Sequence, residues 1–327
     1  MKKRFYFAAL VAAMALASCT ERNADIVESG EMVELMVNVP CLETKVSGNP
    51  QDEGKVSDLQ IFVFNKDSGI LESYGHASTS SMKLSCVPGS KEIVALVNAP
   101  SLSDIATLSE LQEKKSSLED NASGRLVMSG QMTRNITPSD NAATVNVSRL
   151  AAKVTLINVN NQMSLEVNKQ KEFVVTAVYM INAVGDRAYL SSSTPGSTYE
   201  VWYNKMMYET GCPDFLYDAP KVTIPVGQAY STQHHFYCYP NMTLSDANDG
   251  TWSARKTRLV VEATLGGETC YYPVTMSNLA QNTSYTISLT VTRPGSSSPD
   301  IPITTNEATI SVNVKQWIDG VDYNETI

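Results

Sequence analysis

Apolar and polar residues alternate with a period of two along most of this chain, the pattern of half-buried β-strands. In the first such run Val33, Leu35, Val37 and Val39 share one face, and Glu34, Met36 and Asn38 share the other. Val56–Asn65 and Lys91–Asn98 are more uniformly apolar and β-branched, as central strands are. Ala143–Arg149 leads directly into Ala151–Val159, which makes Leu150 the natural seam between two domains. Beyond it, Phe173–Ala183, Val222–Val226, His234–Tyr239, Leu259–Leu265 and Thr269–Val274 continue the pattern. Gly266-Gly267, between the last two runs, signals a hairpin because both residues accept positive φ. Near the end of the chain Ile310, Val312, Val314 and Ile318 line one face of a terminal strand, with Gln316 interrupting.

Thr107-Leu108-Ser109-Glu110 breaks the β rule. Its hydroxyl and carboxylate are spaced as a capping box, and the good helix formers that follow predict a helix over 107–118. The pattern therefore predicts a mainly β fold of two antiparallel β-sandwich domains (transthyretin- or Ig-like), over 32–149 and 150–327, with a short helix in the first. The polar stretch 41–55 has the Gly, Pro and charges of an exposed, protease-accessible loop. Pro294–Pro302, within a linker over 294–305, is rich in Pro and Ser. It is expected not to pack and to isolate the final strand, 307–318.

The first residues carry a different signal. Lys2, Lys3 and Arg4 precede an apolar run from Phe5 to Leu16, followed by Ala17-Ser18-Cys19. The run is shorter than the roughly 20 residues that cross a bilayer, so it reads as a cleaved export segment. The small residues before Cys19 make residues 1–18 a bacterial lipoprotein signal. Cys19 is then the acylated (diacylglycerol and palmitate) start of the mature chain, and 19–31 a lipid-bearing linker. An ordinary secretory signal with a coincidental cysteine is the competing reading. Multiple acyl chains make a firm anchor, because each buried methylene contributes about 0.8 kcal/mol.

Composition narrows the partners. A net charge of -9 argues against nucleic acid or an anionic membrane surface as the main partner. A hydrophobic content of 43% suffices for two cores. Cys41, Cys86, Cys212, Cys238 and Cys270 are scattered without a C-x-x-C pair, so neither a zinc site nor a dense disulfide framework is indicated. Small, buried and unpaired is the favoured state for most of them, and their pairing stays open. His76, His234 and His235 are the only histidines. Adjacent strand residues face opposite ways, so the last two read as solvated side chains rather than as a metal pair. No phosphate loop, nucleophile elbow or metal-binding helix motif is present. The expectation is a non-enzyme without metal or cofactor. Trp202, Trp252 and Trp317, with the tyrosines of 199–208, leave a glycan-binding surface as an alternative.

Ile287–Gly295 (ISLTVTRPG), Pro299–Thr304 (PDIPIT) and Val312–Trp317 (VNVKQW) give the order strand, proline-glycine-serine linker, strand ending in tryptophan. With Val56–Asn65, Val94–Pro100, Met128-Ser129-Gly130 and Arg149-Leu150-Ala151-Ala152-Lys153, this order resembles the FimA-type major fimbrial subunits (fimbrillins) of Bacteroidales type V pili. The likeness runs through the whole mature chain.

That resemblance implies export as an outer-membrane lipoprotein and proteolytic removal of the first strand, here 32–39. It then implies head-to-tail polymerisation into a surface fimbrium for adhesion, in which the terminal strand of a neighbouring subunit fills the vacated groove. The donor residues would be Ile310, Val312, Val314 and Ile318. The partners implied are identical or related subunits, a maturation protease, the outer membrane through lipid, and an unidentified surface ligand. One departure stands out. The family's best-known protease cuts after arginine, but no arginine lies between Arg22 and Arg125. Lys45 takes that place, with Val46 as the new amino terminus and Lys55 as the second choice. A tip, anchor or accessory adhesin of the same family is the alternative role, and a surface glycan-binding lipoprotein a more distant one.

Overall fold

The computed structural model describes residues 31–40, 53–191, 199–205, 211–246, 252–304 and 306–317. The described residues from Met32 onward group as one compact unit. Its regular structure is almost all β-strand, mostly paired antiparallel, so the mainly β expectation holds.

In the first half the strands are β1 (Val33–Asn38), β2 (Leu59–Asn65), β3 (Leu71–Ala77), β4 (Ser81–Cys86), β5 (Gly89–Val97), β6 (Lys115–Ser117), β7 (Met128–Ile136), β8 (Ala142–Thr144) and β9 (Ser148–Arg149). A five-stranded sheet in the order β3-β2-β5-β7-β9 packs over a three-stranded sheet in the order β4-β1-β8. Leu59, Ile61 and Val63 of β2 and Ile93, Ala95 and Val97 of β5 point into the space between the two sheets. The alternate residues Phe62, Phe64, Val94 and Leu96 point the other way and join a second, larger core. Burial of both faces explains why β2 and β5 read as continuous apolar runs.

In the second half, β10 (Ala152–Asn161), β17 (Ala229–Tyr230), β18 (His234–Cys238), β21 (Thr283–Val291) and β22 (Ala308–Gln316) form one sheet. The facing sheet holds β11 (Phe173–Ile181), β15 (Tyr217–Asp218), β16 (Val222–Thr223), β19 (Arg258–Leu265) and β20 (Glu268–Thr275). The short strands β12 (Ala183–Val184), β13 (Asp186–Ala188) and β14 (Trp202–Tyr203) complete the set, β12 pairing with β14 and β13 with β6. Gly266 (φ 61°) and Gly267 (φ 91°) make the β19–β20 hairpin that their sequence announces. Two pairings, β1 with β8 and β10 with β21, are parallel.

The helix is shorter than its sequence suggests. Thr107 caps helix α1 (Leu108–Glu113) with the full reciprocal box, but the helix ends at Lys114 instead of reaching 118. Lys115–Ser117 pairs instead with Asp186–Ala188, and Lys115 reaches the carboxylates of Asp186 and Glu200, both at 2.8 Å. A long-range strand pairing has overridden local helix propensity. A second short helix, α2 (Glu166–Lys169), follows β10 and has no counterpart in the sequence reading.

The expected 294–305 linker is also corrected, because its 295–300 stretch is fixed against the body. Ser296 pairs with Tyr271 through two 2.9 Å backbone bonds. A Cβ on Gly295 would lie 2.2 Å from the Tyr271 carbonyl oxygen, so only glycine fits there. The Asp300 carboxylate is buried between Arg255 (2.6 Å) and Arg258 (2.8 Å). Proline and serine do not prevent packing when backbone pairing and one buried carboxylate fix the segment.

Candidate functional site

Strand β1 sits between two strands that do not pair with each other. It runs antiparallel to β4, with Val33 opposite Cys86, Leu35 opposite Leu84 and Val37 opposite Met82. On its other edge it runs parallel to β8. The ladder is satisfied on both sides: Met36 N–H donates to Asn141 O (2.9 Å), Val145 N–H to Asn38 O (2.9 Å) and Val39 N–H to Ser80 O (2.8 Å). Leu35 and Val37 are wholly buried, Val39 is 1% exposed and Val33 9%. Their ceiling role is purely apolar, over the β2 and β5 residues named above. On the outer face Glu34 meets Lys83 at 2.8 Å, with both side chains more than half exposed, an ion pair of little energetic weight.

Without β1, β4 and β8 would face each other as two open edges about two strand spacings apart, roughly 10 Å. Between them would lie a floor of aliphatic side chains. Refilling the four buried positions is worth roughly 6–12 kcal/mol as an upper estimate, at about 1.5–3 kcal/mol each. Cys86 lines this groove from β4, fully buried, and burial raises its pKa, so its thiol is unreactive while β1 is in place.

The terminal strand is placed differently. β22 pairs in register with β21 over nine residues, from Val291 opposite Ala308 to Thr283 opposite Gln316, and ends its sheet as an edge strand. It is therefore not isolated from the body in this monomer. Ile310, Val312 and Val314 rest half-buried on the large core, and Ala308 is buried. Trp317 follows as an anchor, 8% exposed. Its ring stacks on Tyr237 (centroids 6.0 Å, 7° apart), and the Arg149 guanidinium lies 4.6 Å from its centroid.

Cys19, Cys41, Lys45, Val46 and Ile318 lie outside the described residues. Cys86, Cys212, Cys238 and Cys270 are unpaired, as favoured. Among the described residues no cluster of His, Cys, Asp or Glu could hold a metal ion. His234 and His235 do face opposite ways, but His234 is not solvated. It is buried, with Nδ1 2.9 Å from Asp218 Oδ2 and Nε2 3.0 Å from the Tyr230 hydroxyl, tying three short strands together. Trp202 is buried too, in edge contact with Tyr199 and Trp252, so it packs rather than presenting a face.

Sequence reasoning missed a buried charged cluster at the base of β22. Glu53 is 1% exposed, and its carboxylate accepts from Lys153 Nζ (2.8 Å) and the Tyr237 hydroxyl (2.6 Å). Its backbone carbonyl accepts from Arg149 Nε (3.2 Å), and Arg149 Nη1 donates to Trp317 O (3.0 Å). The available signal was Arg149 and Lys153 flanking the apolar Leu150-Ala151-Ala152, since charges inside a strand-like run need buried partners.

The chain is similar to proteins described as fimbrial or cell-adhesion proteins. The Major fimbrial subunit protein (FimA) family matches residues 42–173. A crystal structure of a protein assigned to cell adhesion from Bacteroides eggerthii aligns with a TM-score of 0.67 at 22% identity, covering 88% of this chain and 97% of that one. Fimbrilin from Porphyromonas gingivalis aligns at 0.65 and 16% identity, covering 88% and 98%. The tip fimbrial protein Mfa3 of the same organism, in a C-terminally truncated form, aligns at 0.56 and 14%, covering 88% and 100%. At these identities the structural likeness speaks to fold alone. The match to the FimA family, whose members are structural fimbrial subunits, covers residues 42–173, and the fimbrilin structure shares the fold of the chain.

Proposed function

We propose that this chain is a stalk subunit of a surface fimbrium, exported as a lipoprotein acylated at Cys19 and activated by cutting at Lys45–Val46. Polymerisation follows by strand exchange. The amino-terminal sandwich, 32–149, is the acceptor and the carboxy-terminal one, 150–327, the donor. The observation that carries this reading is the setting of β1, a central, apolar-faced strand near the amino terminus whose two neighbours do not pair with each other. While the chain is intact, β1 competes at high effective concentration; once cut, it is lost by dilution. A second copy's β22 can then enter by strand addition, with main-chain bonds giving affinity and alternate side chains giving register. Ile310, Val312 and Val314 are half-buried at home and would be sealed in the groove. That gain is roughly 2–4 kcal/mol. Because a head-to-tail contact of this kind does not close, it generates a filament.

Register follows from matching apolar positions. Placing Ala308, Ile310, Val312 and Val314 where Val33, Leu35, Val37 and Val39 sit fills every pocket with an apolar side chain. Sliding by two residues would bury Gln316 in the Val39 pocket. The native thiol of Cys86, opposite Val33, reads the register directly. Hydrogen-bonded antiparallel partners lie about 5.5 Å apart, within disulfide reach. After cutting, Ala308→Cys is expected to form an intermolecular disulfide with Cys86, and Ile310→Cys is not. A bond from Ile310→Cys instead would overturn the register. The absence of any oligomer ladder after cutting would overturn strand exchange. A tip role is disfavoured by the intact, regularly alternating β22, which a subunit with nothing above it has no need to present.

A further inference from the structure

Two parts of the molecule that strand exchange must mobilise meet in one buried cluster. Glu53 is the first described residue after 41–52, where cutting is proposed, and it leads through a short turn into β2. Trp317 is the first residue beyond β22. Between them stand Arg149, which donates to the backbone carbonyls of both, and Lys153, which pairs with the Glu53 carboxylate while its ammonium lies 5.9 Å from the Trp317 ring centre. Tyr237 completes the connection, stacking on Trp317 and donating its hydroxyl to Glu53. Trp317 N–H also donates to Asn282 O (2.9 Å), and Asn282 Oδ1 accepts from Arg149 Nη1 (3.1 Å).

We propose that Glu53 is a positioning residue that clamps the terminal strand to its own body in the uncut subunit, so that cutting the preceding segment loosens β22 for donation. The inference rests on the strand-exchange reading for its purpose. The coupling itself is a property of the uncut monomer. In the intact chain Glu53 is joined covalently to β1 through residues 41–52 and to β2 through 54–58. After a cut one tether is gone, and docking Glu53 costs more chain entropy. Whenever Glu53 leaves, Lys153 is a buried cation without that carboxylate, and Arg149 loses a carbonyl acceptor. Both are the groups on which Trp317 rests. Residues sharing partners in this way lose stability together, not independently. β22 is especially sensitive because an edge strand is held by one ladder and by its end anchor. The same coupling acts in reverse, so an uncut subunit resists premature donation.

Hydrogen exchange on the full-length, uncut protein tests this. Glu53→Gln keeps the shape and removes the charge, and it is expected to raise exchange of the 308–316 amides about tenfold while β5 amides keep their protection. Tyr237→Phe removes only the hydroxyl contact and keeps the ring on Trp317, so a rise of about threefold is expected, and this variant decides the matter if Glu53→Gln fails to fold. Unchanged exchange of β22 in the folded variants overturns the clamp. The two proposals separate cleanly: a loosened β22 with no assembly after cutting keeps the clamp and rejects strand exchange. Assembly with β22 protection unaltered by the substitutions does the opposite.

Discussion

β1 and β22 share one sequence pattern but occupy very different positions. Both alternate aliphatic residues at every second site, yet β1 is flanked on two edges with its apolar face sealed, and β22 has one neighbour and a half-buried face. Alternation therefore encodes the capacity to pair and to bury one face, and topology decides how much of that capacity is used. A strand whose capacity is half used at home has something to gain elsewhere. A strand that is fully satisfied has to be removed covalently before its place becomes available. The pairing of a saturated strand near the front with an unsaturated one at the back is what the proposed chain-to-chain exchange would use.

Equivalent charges placed in the two strands are expected to have the most unequal effects. Val37→Asp puts an unpaired carboxylate in a fully buried site and is expected to destabilise the uncut monomer by roughly 4 kcal/mol or more, read as a fall in the denaturant midpoint. Val312→Asp, on the half-buried edge strand, should cost the monomer only about 1 kcal/mol and still abolish assembly after cutting. Equal destabilisation of the monomer by the two substitutions would break the asymmetry. A smaller effect is expected at Cys86. Burial holds its thiol above the ordinary value in the intact subunit, so both access and ionisation improve when β1 leaves. Alkylation at pH 8 should thus be undetectable before removal of β1, rapid in the emptied monomer, and suppressed again in assembled material. Equal labelling of all three forms would show that the groove does not open.

Much of this organisation is written locally in the chain. The β1 alternation, the continuous apolar runs of β2 and β5, the Thr107 capping box and the Gly266-Gly267 turn each depend on a few neighbouring residues. What local pattern could not give depends on distant partners. The helix stops at Lys114 because Asp186–Ala188 arrives to pair with the following residues. The proline-serine segment packs because Arg255 and Arg258 present two buried guanidinium groups to Asp300. His234 is buried because Asp218 and Tyr230 reach it from two other strands. The Glu53 cluster joins residues from five separate regions, and only Arg149 and Lys153 hinted at it. The parallel pairings of β1 with β8 and β10 with β21 likewise have no local signature.

Peptide mass mapping with amino-terminal sequencing of assembled fibres tests the exchange most directly. Subunits in the fibre are expected to begin at Val46 and to lack the 32–39 peptide, while retaining the 308–316 peptide in full. Recovery of the 32–39 peptide in equal amount with the rest of the chain would contradict strand exchange outright.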